Sequence, residues 1–330
     1  MQIRPVVLCG GGGARLWPTS TPDRPKSFMR LGDWSLLQAT LARCDGLSDG
    51  PVVVVGALRH RAILTQELAR LNIATRLVLE PVSRDTAPAM LAGALRAADR
   101  DARAIVALLP SDHAIHDAAA FRAALRQAGE LAVEGRLVVL GVRPNGASSA
   151  YGHIRPSGPG PSPVAAFIEK PDAATAERLT AEGCLWNSGV LVARVDVLLA
   201  EMRRRVPDVV DAVEAALGTD EVLGAAFAEA PRISMDYAVL EATDIASVLP
   251  VTFDWSDVGS WDAVATLRPD SSPGAAVVGG EGVWVQAPVG VKVAVVGLSD
   301  VLVVIEDGAV LVCSTSAAQQ VRVAADRLKD

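Results

Sequence analysis

The strongest constraint in this chain is an alternation that runs to about residue 141. Apolar, β-branched runs at 52–55, 75–79, 104–109 and 137–140 are separated by segments of helical period near 36–44, 59–71, 86–98 and 119–133. Repeated strand–helix units join parallel strands by crossovers and cover both faces of a sheet. The pattern predicts an α/β fold, a doubly wound, mainly parallel, Rossmann-like sheet with helices on both faces. In such sheets ligands sit beyond the carboxyl ends of the strands, so the loops that follow strands are where function is sought.

The first of those loops is the most unusual. Val6-Val7-Leu8-Cys9 reads as a short buried strand, and Gly10-Gly11-Gly12-Gly13-Ala14-Arg15-Leu16-Trp17-Pro18 follows it. Successive glycines let backbone N–H groups fold into a concave anion-binding turn that polyphosphate oxygens can approach closely. Arg15 adds a planar cationic fork, and Lys26, within Arg24-Pro25-Lys26-Ser27, adds a point charge. The dinucleotide fingerprint G-x-G-x-x-G is excluded, because Arg15 and Leu16 stand where its third glycine would have to be. The P-loop is excluded as well, since Lys26-Ser27 follows Pro25 rather than glycine. A plain flexible turn remains open for the glycines taken alone.

Composition narrows the function classes. At 330 residues the chain exceeds the roughly 250–300 that one core supports, so a large domain with a smaller one is expected. The net charge of −7 argues against nucleic acid as a partner and leaves the basic residues to act locally. No apolar run approaches the ~18 residues needed to span a bilayer. The short apolar stretch after Arg4 does not read as a signal peptide, so a cytoplasmic protein without a membrane partner is expected. Cys9, Cys44, Cys184 and Cys313 are scattered without a C-x-x-C pair, and the four histidines lack metalloprotease spacing.

Later segments carry further candidates. Before the third helical segment, Asp85 or Thr86 suits the N-cap and Pro88 the first turn; a cap alone and a ligand contact are both open. The apolar strand ending in Leu109-Pro110-Ser111-Asp112 delivers a carboxylate suited either to a turn or to a hard divalent cation serving a phosphate. A Pro, Gly and Ser-rich stretch at 142–163 marks a long loop or the start of an insertion. Residues 164–168 read as a strand that presents Glu169 and Lys170, an acceptor for sugar hydroxyls beside a phosphate cation, or simply a surface ion pair. Trp186-Asn187-Ser188-Gly189 sets an amide beside an aromatic ring, which suits a polyol. Helical patterns follow at 195–205 and 209–217, and another helix opens at Ser234. Asp257, in Asp254-Trp255-Ser256-Asp257-Val258-Gly259, is the candidate second carboxylate for the cation of Asp112; its other reading is an N-cap for a helix near Ser260. After a Pro/Ser break at 268–273, short apolar strands at 282–285, 291–296, 301–305 and 309–313 precede a helix at 317–328. They predict a small all-β domain, 269–330, packed on the larger domain, 1–268, or on another subunit rather than doing chemistry.

Together and in this order, these motifs resemble the sugar-1-phosphate nucleotidyltransferases, most closely the bacterial mannose-1-phosphate guanylyltransferases, or GDP-mannose pyrophosphorylases. The resemblance runs from Gly10 to about Trp261, and the tail is similar to that family's short left-handed β-helix. It implies the nucleotidyltransferase fold, transfer of GMP from GTP to α-D-mannose 1-phosphate, GDP-mannose and pyrophosphate as products, Mg²⁺ as cofactor, and a homodimer. It places the GTP phosphates on Gly11, Gly12, Gly13 and Arg15, with Lys26 near the transferred α-phosphate. Leu8, Gly10, Thr86, Ala87 and Pro88 would border the base. Gly152, Glu169, Lys170 and Asn187 would hold the sugar and its phosphate, and Asp112 and Asp257 the Mg²⁺. Arg15, Lys26 and Asp112 are the implied catalytic residues.

Four positions depart from the family pattern: Gly12 replaces the usual Ser, Ala14 the usual Thr, Asp85 the usual Asn and Ser27 the usual Gln. The first two remove hydroxyl donors to phosphate, so weaker nucleotide binding is expected. Base selectivity is less firmly specified than reaction type. The competing readings are another hexose-1-phosphate nucleotidyltransferase and a non-catalytic subunit that binds GDP-mannose and regulates a partner.

Overall fold

The computed structural model describes residues 1–11 and 13–328. The chain divides into two compact units, neither continuous in sequence: residues 1–10, 38–111 and 115–255, and residues 11–37, 112–114 and 256–330.

The first unit is built on one nine-stranded sheet. Its strands are β1 (Arg4–Cys9), β2 (Val52–Ala57), β3 (Thr75–Glu80), β4 (Ile105–Pro110), β5 (Leu137–Val142), β6 (His153–Pro156), β7 (Ser162–Ile168), β8 (Leu185–Arg194) and β9 (Ala246–Val251), in the order β3-β2-β1-β4-β8-β5-β9-β7-β6. Strands β1 to β4 form a parallel block, as the alternation predicts, and β5 pairs parallel with β9. The long β8 runs antiparallel between β4 and β5, and β7 runs against β9. Helices α1 (Leu36–Arg43), α2 (Arg61–Leu68), α3 (Thr86–Ala98), α4 (Ala118–Val133), α5 (Ala173–Ala181), α6 (Val195–Arg205) and α7 (Pro207–Ala216) fall between these strands in the chain.

Helix α3 shows how closely this layer packs. Its sequence, Thr-Ala-Pro-Ala-Met-Leu-Ala-Gly-Ala-Leu-Arg-Ala-Ala, is rich in small residues, and eleven of its thirteen are buried. A Cβ on Gly93 would lie 2.4 Å from a methyl of Val6 on β1 and 2.8 Å from one of Val55 on β2. Gly93→Ala is therefore expected to lower the unfolding free energy by about 1–3 kcal/mol through overpacking, although alanine is favoured in a helix by roughly 1 kcal/mol. Urea denaturation checks this; an unchanged or raised midpoint would mean that the helix has room to shift.

The second unit contains α8 (Trp261–Leu267), β10 (Ala275–Val278), β11 (Trp284–Gln286), β12 (Val293–Val296), β13 (Val301–Glu306), β14 (Ala309–Ser314) and α9 (Val321–Arg327). Strand β10 pairs parallel with β12 and β11 with β13, each partner eighteen residues further on: Ala275 opposite Val293, Trp284 opposite Leu302. Val285, Val295 and Val303 fill the space inside. Strand β14 returns antiparallel through Asp307-Gly308, both at positive φ, the pair a two-residue hairpin of this hand requires. A second cluster packs Leu302, Val304 and Val321 of the tail against Leu16, Met29, Val258 and Trp261. Between β14 and α9, residues expected as the start of the last helix form a 3₁₀ segment, Thr315–Gln320. Among the described residues, no helix is long and apolar enough to cross a membrane.

Candidate active site

In the second unit the glycine loop leads into a 3₁₀ turn, Ala14–Leu16, that carries Arg15. Gly11 and Gly13 both lie at positive φ, and a Cβ on Gly13 would fall 2.5 Å from Ser20 Oγ and 2.7 Å from Lys26 Cβ. Glycine at 13 thus serves both the left-handed conformation and the close approach of Lys26. Gly12, assigned with it to the phosphates, lies outside the described residues.

Lys26 is buried, and its ammonium does two things at once. It sits 2.7 Å from Asp112 Oδ2 and donates a hydrogen bond to the carbonyl of Asp257. Burial disfavours the charge of Asp112, but Lys26 and His113 outweigh it and hold the carboxyl below its usual range. Asp112 is therefore ionised at neutral pH. Asp257 lies against Gly259: a Cβ there would be 2.7 Å from one carboxylate oxygen and 3.3 Å from Arg15 Nη2. Between them Val258, fully buried and β-branched, is held at φ +49°, a strained conformation of the kind that clusters at functional sites. Gly13, Arg15, Lys26, Asp112 and Asp257 are thus brought into one group. Its two carboxylates are hard oxygen donors. No cluster of three metal-ligating side chains occurs among the described residues, and Mg²⁺ is commonly held by one or two carboxylates together with substrate phosphates. The donor set fits such an ion.

In the first unit, Gly152, Glu169, Lys170 and Asn187 also form a group. A Cβ on Gly152 would collide with Glu169 Oε2 at 2.5 Å and touch Asn187 Cβ at 3.4 Å. Glu169 Oε1 accepts from Lys170 Nζ at 2.6 Å, with the carboxylate buried and the lysine largely exposed. The ion pair and the grouped site are the same contact. Asn187 sits where the pairing of β5 with β8 slips, next to Gly189 at φ +73°, whose N–H bonds to its Oδ1 at 3.0 Å. Its Nδ2 donates to Asp236 Oδ1 at 2.9 Å. Beside it Tyr151 packs on Trp186 and Trp255, with centroids 4.7 and 5.3 Å away, an aromatic wall next to amide and carboxylate groups.

Asp236 was missed in the sequence, where it reads only as part of a helix start; the segment is a π-helical turn, Asp236–Leu240. Burial, and then the charge of Glu169, push its carboxyl up to about 6. The neutral acid is thus favoured in the fold. The stabilisation is complete below the unfolded value near 3.8 and is lost as pH rises through about 6. Asp236→Asn, which mimics the neutral form, should gain roughly 1–3 kcal/mol relative to the parent between pH 4 and pH 8. Parallel denaturation curves at the two pH values check this; a pH-independent difference would contradict the assignment.

The base-bordering candidates lie at the end of β1 and at the start of α3, in the same unit. Leu8 accepts from Ser111 N at 3.1 Å, and Gly10 directly follows β1. Asp85, at φ +69°, caps α3 by accepting from Thr86 N at 2.8 Å; Thr86, Ala87 and Pro88 form the helix's first turn. Ala87 N donates to Ile233 O, and Thr86 Oγ1 accepts from Met235 N, one residue before Asp236. Residues 233–236 therefore tie this turn to Asn187. Glu80, at the end of β3, opens the same stretch; burial and the nearby Asp85 raise its carboxyl to about 7.

Residues 4–271 match the Nucleotidyl transferase family. The chain belongs to that family. This nucleotidyl transferase is 36% identical over 353 residues to the mannose-1-phosphate guanylyltransferase of Escherichia coli K12, a match that covers 99% of this chain and 74% of that protein. It is 38% identical over 280 residues to the mannose-1-phosphate guanylyltransferase RfbM of Salmonella typhimurium, covering 80% and 58%. Among solved structures, one described as a mannose-1-phosphate geranyltransferase from Thermus thermophilus matches the whole of both chains with a TM-score of 0.88 at 31% identity. A UDP-glucose pyrophosphorylase in complex with UDP-glucose, at 14% identity and a TM-score of 0.55 over 81% of this chain and 97% of that one, shares the α/β fold. The nucleotidyl transferase is accordingly an enzyme.

Proposed function

We propose that this enzyme is a mannose-1-phosphate guanylyltransferase, moving GMP from GTP to α-D-mannose 1-phosphate with release of pyrophosphate. The observation that carries the reading is similarity over 99% of this chain to a protein of that name, joined to a buried lysine that bridges two acidic segments of the glycine-loop unit. A phosphate oxygen of mannose 1-phosphate attacks the α-phosphorus of GTP; the new O–P bond forms as the bond to the β-phosphate oxygen breaks, and its electron pair leaves with pyrophosphate. The attacking group is already anionic, so the protein needs no nucleophile of its own. Its task is placement and charge compensation.

In this reading the backbone N–H groups of Gly11, Gly12 and Gly13, with Arg15, hold the triphosphate, and Lys26 offsets charge at the α-phosphate. Leu8, Gly10, Thr86, Ala87 and Pro88 border the guanine. Glu169 and Asn187, over Gly152, take sugar hydroxyls, and Lys170 takes the sugar phosphate. Asp112 and Asp257 would hold Mg²⁺, which supplies further positive charge to the triphosphate when bound. We read the paired strands of residues 269–330 as two stacked eighteen-residue coils of a short β-helix, with the catalytic domain at 1–268, and expect a cytoplasmic homodimer. Pyrophosphate release measured across a grid of nucleoside triphosphates and hexose 1-phosphates tests the assignment. GTP with mannose 1-phosphate should give the highest kcat/KM. Preference for another pair would assign a different hexose-1-phosphate nucleotidyltransferase, and GDP-mannose binding without turnover a regulatory subunit.

A further inference from the structure

Arg15 is held by the tail. Its Nη1 donates to Gln319 Oε1 at 2.7 Å, and Gln319 Nε2 donates to Ser260 Oγ at 3.0 Å. Arginine can only donate, so the orientation of the Gln319 amide follows from its partners. Ser260 is buried and directly follows Gly259, over which Arg15 Nη2 and the Asp257 carboxylate meet. One end of the Arg15 guanidinium is therefore held by Gln319, and the other lies close over Gly259, where a side chain would crowd it. The tail grips the same loop elsewhere: Glu306 accepts from Thr19 and lies 3.6 Å from Arg24, while Val321 packs with Leu16 and Trp261.

We infer that Gln319 is a positioning residue for the phosphate-binding arginine, so that the β-rich tail takes part in the reaction by orienting Arg15 toward the triphosphate. The inference rests on the assignment of Arg15 to GTP. A long arginine side chain on a partly buried turn still has several rotamers open to it, and one short acceptor backed by a buried hydroxyl removes that freedom before the anion arrives. Gln319→Leu keeps the size of the side chain and removes both bonds.

Two readouts test this. Gln319→Leu should lower kcat/KM for GTP roughly tenfold and weaken GTP binding, followed calorimetrically without mannose 1-phosphate, by a similar factor, with little change in thermal midpoint. Gln319→Glu, which keeps an acceptor toward Arg15, should recover most of the loss. In an Arg15→Ala background, Gln319→Leu should cost nothing further, because the group it orients is gone. An unchanged Gln319→Leu enzyme, or the same loss with and without Arg15, would overturn the inference. Should Gln319→Leu not fold, Gln319→Asn, one methylene shorter, carries the same comparison. Pyrophosphate release by the parent protein tests the functional reading separately, and the GTP affinity tests the positioning even where no turnover is seen.

Discussion

Replacing Lys26 with alanine should lower kcat roughly a hundred- to a thousandfold while KM for GTP changes by no more than a few-fold. The side chain is only 10% exposed and its ammonium bonds both Asp112 and the main chain at Asp257, so it is a fixed charge rather than a mobile one. A cation held in place before reaction stabilises charge that develops in the transition state without reorganising, and its loss appears in kcat. The substitution also leaves the Asp112 carboxylate without its principal counter-charge, so Lys26→Arg and Lys26→Met are useful companions. Steady-state pyrophosphate release gives the partition. A loss carried wholly by KM would mean that Lys26 serves ground-state binding only.

The second large effect is expected at Asp112. Asp112→Asn preserves shape and removes the charge that Lys26 and His113 keep ionised. If Asp112 contributes to Mg²⁺ binding, kcat should fall about a hundredfold or more, and the Mg²⁺ concentration for half-maximal rate should rise at least about tenfold. Titrating Mg²⁺ against rate for parent and variant separates this from a purely electrostatic role toward Lys26. In the latter case the rate falls and the Mg²⁺ midpoint stays where it was.

Much of the first unit is legible in the sequence because strands β1 to β5 each carry an apolar run, the shortest Leu77–Leu79 in β3, and the helices between them keep a regular period. The strands that were not read have physical reasons for it. In β8 the polar Asn187-Ser188 and the left-handed Gly189 interrupt the apolar pattern at the point where register slips. Strand β9 contains Pro250, which argues against a strand when met in sequence, and β6 has four residues, two of them His and Arg. The site divides in the same way. Glycines followed by a basic residue mark the loop proposed to hold phosphate, and a carboxylate at the end of an apolar strand stands out as well. Asp236 does not, since its role depends on Asn187, 49 residues earlier in the chain, and on the charge of Glu169. Gln319 is further still from legibility, 304 residues from the arginine it bonds. Residues whose function is to hold other residues carry no local pattern.

Stereochemistry at the α-phosphorus decides most directly whether the protein acts by placement alone. With GTP made chiral there by sulfur substitution, a single in-line attack by mannose 1-phosphate gives GDP-mannose of inverted configuration. Retention would require two displacements through a nucleophile on the protein, and would contradict the proposed direct transfer between two anions at Arg15, Lys26 and the glycine loop.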